Sequence, residues 1–312
     1  MGKKLGLLFP GQGSQYVGMG KQLLEQFPVA KKTFQEASDV LGEDMEKLCL
    51  EGPEDRLRLT ANAQPAILTL SIAAFRVVLE ELGISPACAA GHSLGEYSAL
   101  VAAQAMSFPQ AVLAVRKRGE FMQEAVPEGQ GAMAALLGMD AAEVDRICRE
   151  EAGREVVVAA NYNGPGQVVV SGHTSAVQRV AKAAKQKGAK KVVELPVSAP
   201  FHSPLLAPAG EKLKKILGNM SFSDPAFPVI SNVDARPYPS GSAAVEILAR
   251  QVSHPVRWEE SMQLMASWGI DLAVELGPKK VLVGLLKRIA PGIFGVQVED
   301  AAGIQELGKA LA

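Results

Sequence analysis

The chain has 312 residues, of which 48% are hydrophobic and 21% charged, and its 32 Lys and Arg against 33 Asp and Glu leave a formal net charge of −1. A chain of this size buries a large core in one big domain or two unequal ones. A charge near zero provides no overall field that would recruit nucleic acid or an anionic membrane, so we expect neither as a partner.

The cysteines and the N-terminal segment bear on location. Cys49, Cys88 and Cys148 are odd in number and widely spaced, which excludes a disulfide framework that uses them all and suits a reducing compartment. Lys3 and Lys4 precede an apolar run that ends too early for a secretory signal. No stretch approaches the roughly 18 apolar residues of a membrane span. We therefore expect a cytoplasmic protein.

The first third of the sequence alternates between strand and helix patterns. Pro65 should lie in the first turn of its helix and Gly83 directly after the end of that helix. The predicted elements are a strand at 5–9, a loop at 10–15, helices at 21–41 and 65–82, a strand at 87–90 and helices at 97–103 and 110–125. This alternation is typical of an α/β fold.

A turn-rich segment at 127–131 then opens a run of short elements. These are strands at 133–137, 156–160, 167–171 and 191–195, with helices at 141–151 and 175–187. The order β-α-β-β-α-β predicts a ferredoxin-like small domain over residues 129–197. Further helices at 204–217, 243–252 and 258–268 and strands at 229–231 and 272–275 complete the larger domain, which we assign to residues 1–128 and 198–312.

The segment Gly91-His92-Ser93-Leu94-Gly95-Glu96 has the G-x-S-x-G pattern of a nucleophile elbow. Glycines two residues either side of a serine let the backbone turn sharply from strand to helix and expose the hydroxyl. The amides at the start of the following helix would face the reacting centre. The pattern predicts that Ser93 is a covalent nucleophile and that the larger domain is α/β-hydrolase-like, with a mainly parallel sheet. Alone, the motif remains a hypothesis.

A serine nucleophile needs a neighbouring base, and the chain has four histidines. His92 adjoins Ser93, but successive residues at a sharp turn point apart. His173 lies between a strand and a helix of the small domain and fits a surface or capping role, whereas His254 lies in a loop and fits either role. His202 lies where the chain returns from the small domain, beside the expected cleft. We therefore predict that His202 is the base.

Eight segments, taken together, resemble the malonyl-CoA:acyl carrier protein transacylases and the acyltransferase domains of polyketide synthases. The resemblance spans almost the whole chain. The segments, in order, are Phe9-Pro10-Gly11-Gln12-Gly13-Ser14-Gln15, Gln64-Pro65-Ala66, Gly91-His92-Ser93-Leu94-Gly95-Glu96, Arg116-Lys117-Arg118-Gly119, Ala160-Asn161-Tyr162-Asn163, Phe201-His202-Ser203, Ser231-Asn232-Val233 and Glu275-Leu276-Gly277-Pro278.

The resemblance implies a ping-pong transfer that supplies fatty acid synthesis. Ser93 would take a malonyl group from malonyl-CoA, and the phosphopantetheine thiol of an acyl carrier protein would remove it, with His202 as base in both halves. The backbone carbonyl of Gln251 would orient His202, and the amides of Gln12 and Leu94 would hold the oxyanion. No bound cofactor or metal is implied, since coenzyme A and phosphopantetheine arrive with the substrates, and we expect a monomer.

The resemblance also implies a binding site for the malonyl group. Arg118 would hold the free carboxylate through a two-pronged salt bridge, although its spacing alone favours a solvated residue on a basic helix. Phe201 would crowd an α-methyl group and so favour malonyl over methylmalonyl. Gln64 and Asn161 would line the pocket as hydrogen-bonding amides, or serve only as helix-start or turn residues. His92 is counted with the substrate-binding residues.

Other interpretations remain open. A serine hydrolase or thioesterase would use the same elbow, but it would normally show an acidic residue between serine and histidine. A non-catalytic module that binds carrier proteins would need neither residue. An acyltransferase that serves a polyketide synthase would share the chemistry. Lys190, Lys191, Lys287 and Arg288 could receive an acidic carrier protein or simply be solvated.

Overall fold

The computed structural model describes residues 2–127, 129–197 and 199–312. The first of these ranges begins with a buried strand and ends with a long helix. Its elements are β1 (Leu5–Phe9), α1 (Lys21–Gln26), α2 (Pro28–Leu41), α3 (Met45–Glu51), α4 (Glu54–Arg58), α5 (Thr60–Leu82), β2 (Pro86–Gly91), α6 (Gly95–Ala102) and α7 (Phe108–Glu124). Every residue of β1 is buried, as expected of a central parallel strand covered on both faces.

Two predictions in this range are wrong. The helix predicted at 21–41 is two helices, because Phe27 precedes Pro28 and adopts an extended conformation with φ −123°. The helix predicted at 65–82 begins earlier, at Thr60, so Pro65 lies inside α5 rather than in its first turn. A proline there removes one backbone hydrogen bond, and the burial of α5 against α2 and α7 compensates. Helix α5 ends at Leu82, and Gly83 follows directly with φ 57°, which confirms the predicted end of this helix.

The middle range forms an antiparallel sheet of four strands with two helices. Its elements are β3 (Gly131–Leu137), α8 (Ala141–Glu151), β4 (Val157–Gly164), β5 (Gln167–His173), α9 (Thr174–Gln186) and β6 (Lys191–Glu194). The strand order is β4-β5-β3-β6. Val144 and Ile147 of α8 pack with Val177 and Val180 of α9 and with Leu136 of β3 in one apolar core. The predicted succession of strands and helices is confirmed.

The last range returns to the larger sheet. Its elements are α10 (Ala207–Leu217), β7 (Val229–Ile230), α11 (Ala244–Gln251), α12 (Trp258–Ser267), β8 (Leu272–Leu276), α13 (Leu282–Ile289), β9 (Phe294–Val298) and α14 (Ala301–Leu311). The larger sheet is parallel throughout, in the order β7-β2-β1-β8-β9. The chain is therefore α/β, with a parallel sheet and a smaller antiparallel one.

The central strands of the parallel sheet bring two loops together at one edge. Phe9, the last residue of β1, pairs with Gly91, the last residue of β2, and the carboxyl ends of parallel strands are the usual place for a site. A Cβ on Gly91 would lie 1.9 Å from the Gly95 carbonyl oxygen, and one on Gly95 would lie 2.0 Å from that of Phe9. Only glycine fits at these two positions, as the elbow pattern predicts.

The small sheet is joined to the rest of the fold through β4. The amide of Tyr162 donates to the carbonyl oxygen of Val256 at 2.9 Å, and the amide of Val256 donates to that of Ala160 at 2.9 Å. Glu128 and Ser198, where the predicted domain boundaries fall, lie outside the described residues. None of the helices in the three described ranges is long and apolar enough to cross a membrane.

Candidate active site

Ser93 and His202 form a hydrogen-bonded pair at the end of β2. The Ser93 Oγ lies 2.7 Å from the His202 Nε2. Both residues have positive φ values, 52° and 58°, which non-glycine residues seldom adopt and which concentrate at functional sites. The His202 Nδ1 lies 2.9 Å from the Gln251 carbonyl oxygen and 3.1 Å from that of His254. Because carbonyl oxygens only accept, Nδ1 carries the proton and Nε2 offers its lone pair to the serine.

The surroundings of His202 keep its ring neutral. Its side chain is buried, and this burial, followed by the positive charge of Arg118, lowers its pKa to about 3. The hydrogen bonds to the two carbonyl oxygens act in the opposite direction but are weaker. At neutral pH the imidazole is therefore available to accept a proton from the Ser93 hydroxyl.

Arg118 is buried beside this pair, with only 1% of its surface exposed. Its Nη1 donates to the Gln64 Oε1 at 2.8 Å, and its Nη2 donates to the Gln251 Oε1 at 2.9 Å and to the Ser93 Oγ at 3.1 Å. Its Nε has no acceptor among the described residues. The interpretation as a solvated helix residue, which spacing alone favours, is wrong, because Arg118 is buried and donates to Gln64 of the neighbouring helix α5.

Two backbone amides near Ser93 are available to a bound group. The amides of Gln12 and Leu94 make no hydrogen bond to any described part of the chain. Leu94 directly follows the nucleophile at the start of α6. The loop that carries Gln12 lies against the elbow, since a Cβ on Gly11 would be 2.5 Å from the His92 carbonyl oxygen. Both amides therefore remain free to donate, as the predicted oxyanion site requires.

A cavity of about 400 Å³ opens in front of the serine. Its walls bring together Asn161 of the antiparallel sheet and residues that lie outside the strands, among them Ser93, His202, Arg118, Phe201 and His92. Asn161 lies on strand β4, not in a turn. Gln64 lies behind Arg118 rather than on the wall, because its Oε1 accepts from the guanidinium and its Nε2 faces the Met122 Sδ at 3.7 Å. Gln64 therefore contacts the cavity through Arg118 and Met122, which both line it.

The other three histidines make no hydrogen bond to the Ser93 hydroxyl among the described residues. The His92 Nε2 lies 2.8 Å from the Asn163 Oδ1, and burial lowers its pKa. The His173 Nδ1 accepts from the Val156 amide at 2.9 Å, at the start of α9. His254 contributes its carbonyl oxygen to His202 while its own side chain is exposed. Of the four histidines, only His202 has a ring nitrogen within hydrogen-bond distance of the Ser93 Oγ among the described residues, and its role as the base stays a prediction.

Sequence reasoning missed four polar groups behind the site: the side chains of Glu96, Asn232, Tyr238 and Gln251. All four are buried. Glu96 ends the elbow segment and Asn232 belongs to another of the eight segments, yet neither was assigned a role. The carboxylate of Glu96 contacts the Gln251 side chain, and no described carboxylate bonds to the His202 Nδ1, whose partners are two carbonyl oxygens.

The fold and the family match together define the class of this chain. Residues 7–305 match the family described as acyl transferase domain, and the chain belongs to this family. Its relatives include proteins named malonyl CoA-acyl carrier protein transacylase. The one from Bacillus subtilis (strain 168) is 49% identical over 304 residues, 97% of this chain and 95% of its own length. The one from Escherichia coli (strain K12) is 48% identical over 282 residues, 90% and 91% of the two chains.

Solved structures agree with these sequence relatives. The malonyl CoA-acyl carrier protein transacylase from Coxiella burnetii superposes with a TM-score of 0.98 at 42% identity, covering 100% of this chain and 98% of its own. A malonyl-transacylase solved in complex with a type II PKS acyl-carrier protein gives a TM-score of 0.96 at 45% identity, covering 98% and 99%.

Proposed function

We propose that the protein is an acyl-carrier-protein S-malonyltransferase that moves a malonyl group from malonyl-CoA to the phosphopantetheine thiol of an acyl carrier protein. One observation supports this most directly: the buried Arg118 guanidinium lies 3.1 Å from the Ser93 Oγ and keeps one N–H without an acceptor. A buried donor left unpaired is costly, and the free carboxylate of a malonyl group supplies the missing acceptor as the acyl carbon meets the serine.

In the first half-reaction, the Ser93 Oγ attacks the thioester carbonyl of malonyl-CoA while its proton passes to the His202 Nε2. The amides of Gln12 and Leu94 hold the oxygen that becomes negatively charged, and losing one such donor typically costs on the order of 10²–10³ in rate. The tetrahedral intermediate then breaks its C–S bond. Coenzyme A leaves as its thiol after taking the proton from His202, and Ser93 carries the malonyl group as an ester.

The second half-reaction runs in the opposite direction with a new thiol. His202 takes the proton of the phosphopantetheine thiol, and the sulfur attacks the ester carbonyl in the same oxyanion site. When the C–O bond breaks, the Ser93 oxygen recovers its proton from His202. The Gln251 carbonyl oxygen keeps the imidazole in one tautomer throughout. The reaction needs no bound cofactor, since both thiols arrive with the substrates.

Two residues of the cavity would select the acyl group. Arg118 favours acyl groups that end in a carboxylate, and Phe201 reduces the space next to the α-carbon. Phe201 lies on the cavity wall directly before the base and is buried. A difference of one methyl group in a pocket is worth roughly 1–3 kcal/mol, so malonyl is favoured over methylmalonyl without being the only possible substrate. A hydrolase of simple acyl esters would have no use for the buried cation.

We further propose that the two sheets belong to two domains with the site between them. The parallel sheet and its serine turn support an α/β-hydrolase-like domain over residues 1–128 and 198–312. The antiparallel order β4-β5-β3-β6, with both helices on one face, supports a ferredoxin-like domain over residues 129–197. Met133 and Asn161 of the small sheet share the cavity with Ser93.

The carrier protein would approach a basic surface of the small sheet and α13. The side chains of Lys190, Lys191, Lys287 and Arg288 are exposed, and Arg288 donates to Gln167 at 2.6 Å. Gln167 and Lys191 both pair with Leu137, on opposite sides of β3, so Arg288 of α13 and Lys191 of β6 lie at the same end of the small sheet. Such a patch attracts an acidic partner and accelerates its approach. The cytoplasmic location and the monomeric state stay predictions.

The proposal is tested by initial-rate kinetics with malonyl-CoA and a phosphopantetheinylated carrier protein. A ping-pong transfer gives parallel double-reciprocal lines, and both Ser93→Ala and His202→Ala abolish it. Release of coenzyme A at the same rate without carrier protein would instead indicate a hydrolase. Because one structural neighbour was solved with a type II PKS carrier protein, carrier proteins of fatty acid and polyketide synthesis should be compared, and the one with the higher kcat/KM identifies the pathway.

A further inference from the structure

We propose that Glu96 and Asn232 are positioning residues, which hold Ser93, His202 and Arg118 in one arrangement through the side chain of Gln251. The proposal rests on the malonyl transfer proposed above. We call the four side chains of Glu96, Asn232, Tyr238 and Gln251 the elbow network. All four are buried, and three of them, Glu96, Asn232 and Gln251, have no exposed surface.

Asn232 spans the elbow on both sides of His92. Its Oδ1 accepts from the Ser93 amide at 2.6 Å, and its Nδ2 donates to the Gly91 carbonyl oxygen at 2.7 Å. The two backbone groups fix the orientation of the carboxamide, because the reverse orientation would set donor against donor and acceptor against acceptor. These two hydrogen bonds hold Ser93 at its positive φ, and the first of them occupies the Ser93 backbone amide. The amide of Leu94 remains for the substrate.

Glu96 accepts from three different donors. Its Oε2 accepts from the backbone amide of Asn232 at 3.0 Å and from the Gln251 Nε2 at 2.8 Å, and its Oε1 accepts from the Tyr238 hydroxyl. Burial raises the pKa of Glu96 to about 7, while these three donors and the charge of Arg118 lower it. An acceptor for three donors is best supplied by a carboxylate, which has only acceptor atoms.

Gln251 makes hydrogen bonds to Ser93, His202 and Arg118. Its Nε2 donates to the Ser93 carbonyl oxygen at 2.8 Å, its Oε1 accepts from Arg118, and its main-chain carbonyl oxygen accepts from His202. Because ionised Glu96 can only accept, the Nε2 of Gln251 must face it, and the Oε1 must then face the guanidinium. Glu96 therefore determines which way the Gln251 amide points, and through it the position of Arg118.

The two residues predict different kinetic defects. In Glu96→Gln, an amide NH₂ faces donors of the network, so Gln251 loses its fixed orientation and Arg118 loses an acceptor. In Asn232→Ala, the elbow is released while Gln251 and Arg118 keep their contacts. Leaving one buried polar group unpaired corresponds to roughly a tenfold to hundredfold loss. Glu96→Gln should therefore lower the ratio of malonyl to acetyl acylation, whereas Asn232→Ala should slow both acylations equally.

The test is rapid-quench acylation followed by intact-protein mass spectrometry, with malonyl-CoA and with acetyl-CoA, on the wild type and each variant. Tyr238→Phe is the matched control, since it removes one donor to Glu96 but leaves the carboxylate to orient Gln251. Its malonyl to acetyl ratio should equal that of the wild type. The adduct is counted per folded molecule, with the folded fraction measured by circular dichroism, so that a loss of stability alone changes no rate.

Three results would overturn the proposal. Unchanged acylation rates per folded molecule in both variants would make Glu96 and Asn232 purely structural, and equal loss of both acylations in Glu96→Gln would separate Glu96 from Arg118. If Glu96→Gln does not fold, Gln251→Met tests the same link, because it keeps the main-chain carbonyl for His202; an unchanged ratio there would also refute it. A wild type that forms no adduct on Ser93 would refute the proposed function itself.

Discussion

Replacing Arg118 by methionine tests the selection of the acyl group. Methionine keeps an unbranched side chain that reaches about as far as the arginine Nε, without charge or donors. The wild-type guanidinium makes three hydrogen bonds, to the side chains of Gln64, Gln251 and Ser93, and we infer that the malonyl carboxylate takes up the unpaired Nε and the Nη2 that now faces the serine. An acetyl group has no carboxylate and gains nothing from either donor.

The size of the effect follows from those two bonds. A hydrogen bond to a charged group contributes about 1.5–3 kcal/mol, so two contribute about 3–6 kcal/mol, which corresponds to about 10²–10⁴ in kcat/KM. Arg118→Met also leaves the oxygens of Gln64 and Gln251 without a donor, but that loss is shared by every acyl donor. It cancels in the ratio of malonyl to acetyl, which should fall by at least about 10².

The assay is kcat/KM for malonyl-CoA and for acetyl-CoA with saturating carrier protein. Arg116→Met is the matched control, because Arg116 lies two residues earlier on α7 and pairs with Glu43 at 2.6 Å, outside the cavity lining. We expect the control to keep the wild-type ratio. Equal losses for malonyl and acetyl in Arg118→Met would remove Arg118 from carboxylate recognition.

Three further predictions concern pH, side-chain bulk and stability. Because burial and the charge of Arg118 lower the pKa of His202 to about 3, labelling of Ser93 by a neutral fluorophosphonate should be flat between about pH 5 and 8. Arg118→Met should raise that pKa and bring an acid limb toward 6.5; an acid limb already at 6.5 in the wild type would contradict this. Phe201→Ser should raise kcat/KM for methylmalonyl-CoA relative to malonyl-CoA by about tenfold, and an unchanged ratio would show that the ring does not crowd the α-carbon. Glu275, buried, accepts from three amides at the start of α13 at 2.9–3.1 Å, so Glu275→Gln should lower the free energy of unfolding in urea by about 1–3 kcal/mol; an unchanged midpoint and slope would refute that role.

The serine turn was predictable from sequence because its requirements are local. Gly91 and Gly95 approach backbone atoms to within 2.0 Å of an added Cβ, and such a constraint selects glycine at fixed distances from Ser93. The strand before the turn and the helix after it follow from apolar runs of a few residues. His202 was identifiable because only four histidines were available and one lay at the junction of the two predicted domains.

The residues behind the site were not predictable, because they act across long stretches of chain. Asn232 reaches Ser93 from 139 positions away, and Gln251 reaches Glu96 from 155. The burial of Arg118 likewise depends on the packing of α7 against α5 and α10, which helical spacing does not reveal. Helix periodicity does not specify which face turns inward until the partner helices are placed.

The helices and strands that were not predicted from the sequence were missed for different reasons. The helices α3 and α4 have only seven and five residues, and helices this short depend on tertiary packing rather than on their own propensity. In contrast, α13 has apolar residues at 282, 283, 285, 286 and 289, a helical spacing that was present in the sequence but not used. The parallel pairing of β9 with β8 follows once α13 is recognised as the crossover.

The most direct test of malonyl transfer is intact-protein mass spectrometry after brief mixing with malonyl-CoA, repeated with acetyl-CoA and with Ser93→Ala. We expect an adduct of the mass of one malonyl group on the wild type, none on Ser93→Ala, and complete loss of the adduct when a phosphopantetheinylated carrier protein is added. No adduct, or one that water removes as fast as the carrier protein does, would contradict the transfer and favour a hydrolase or another acyl donor.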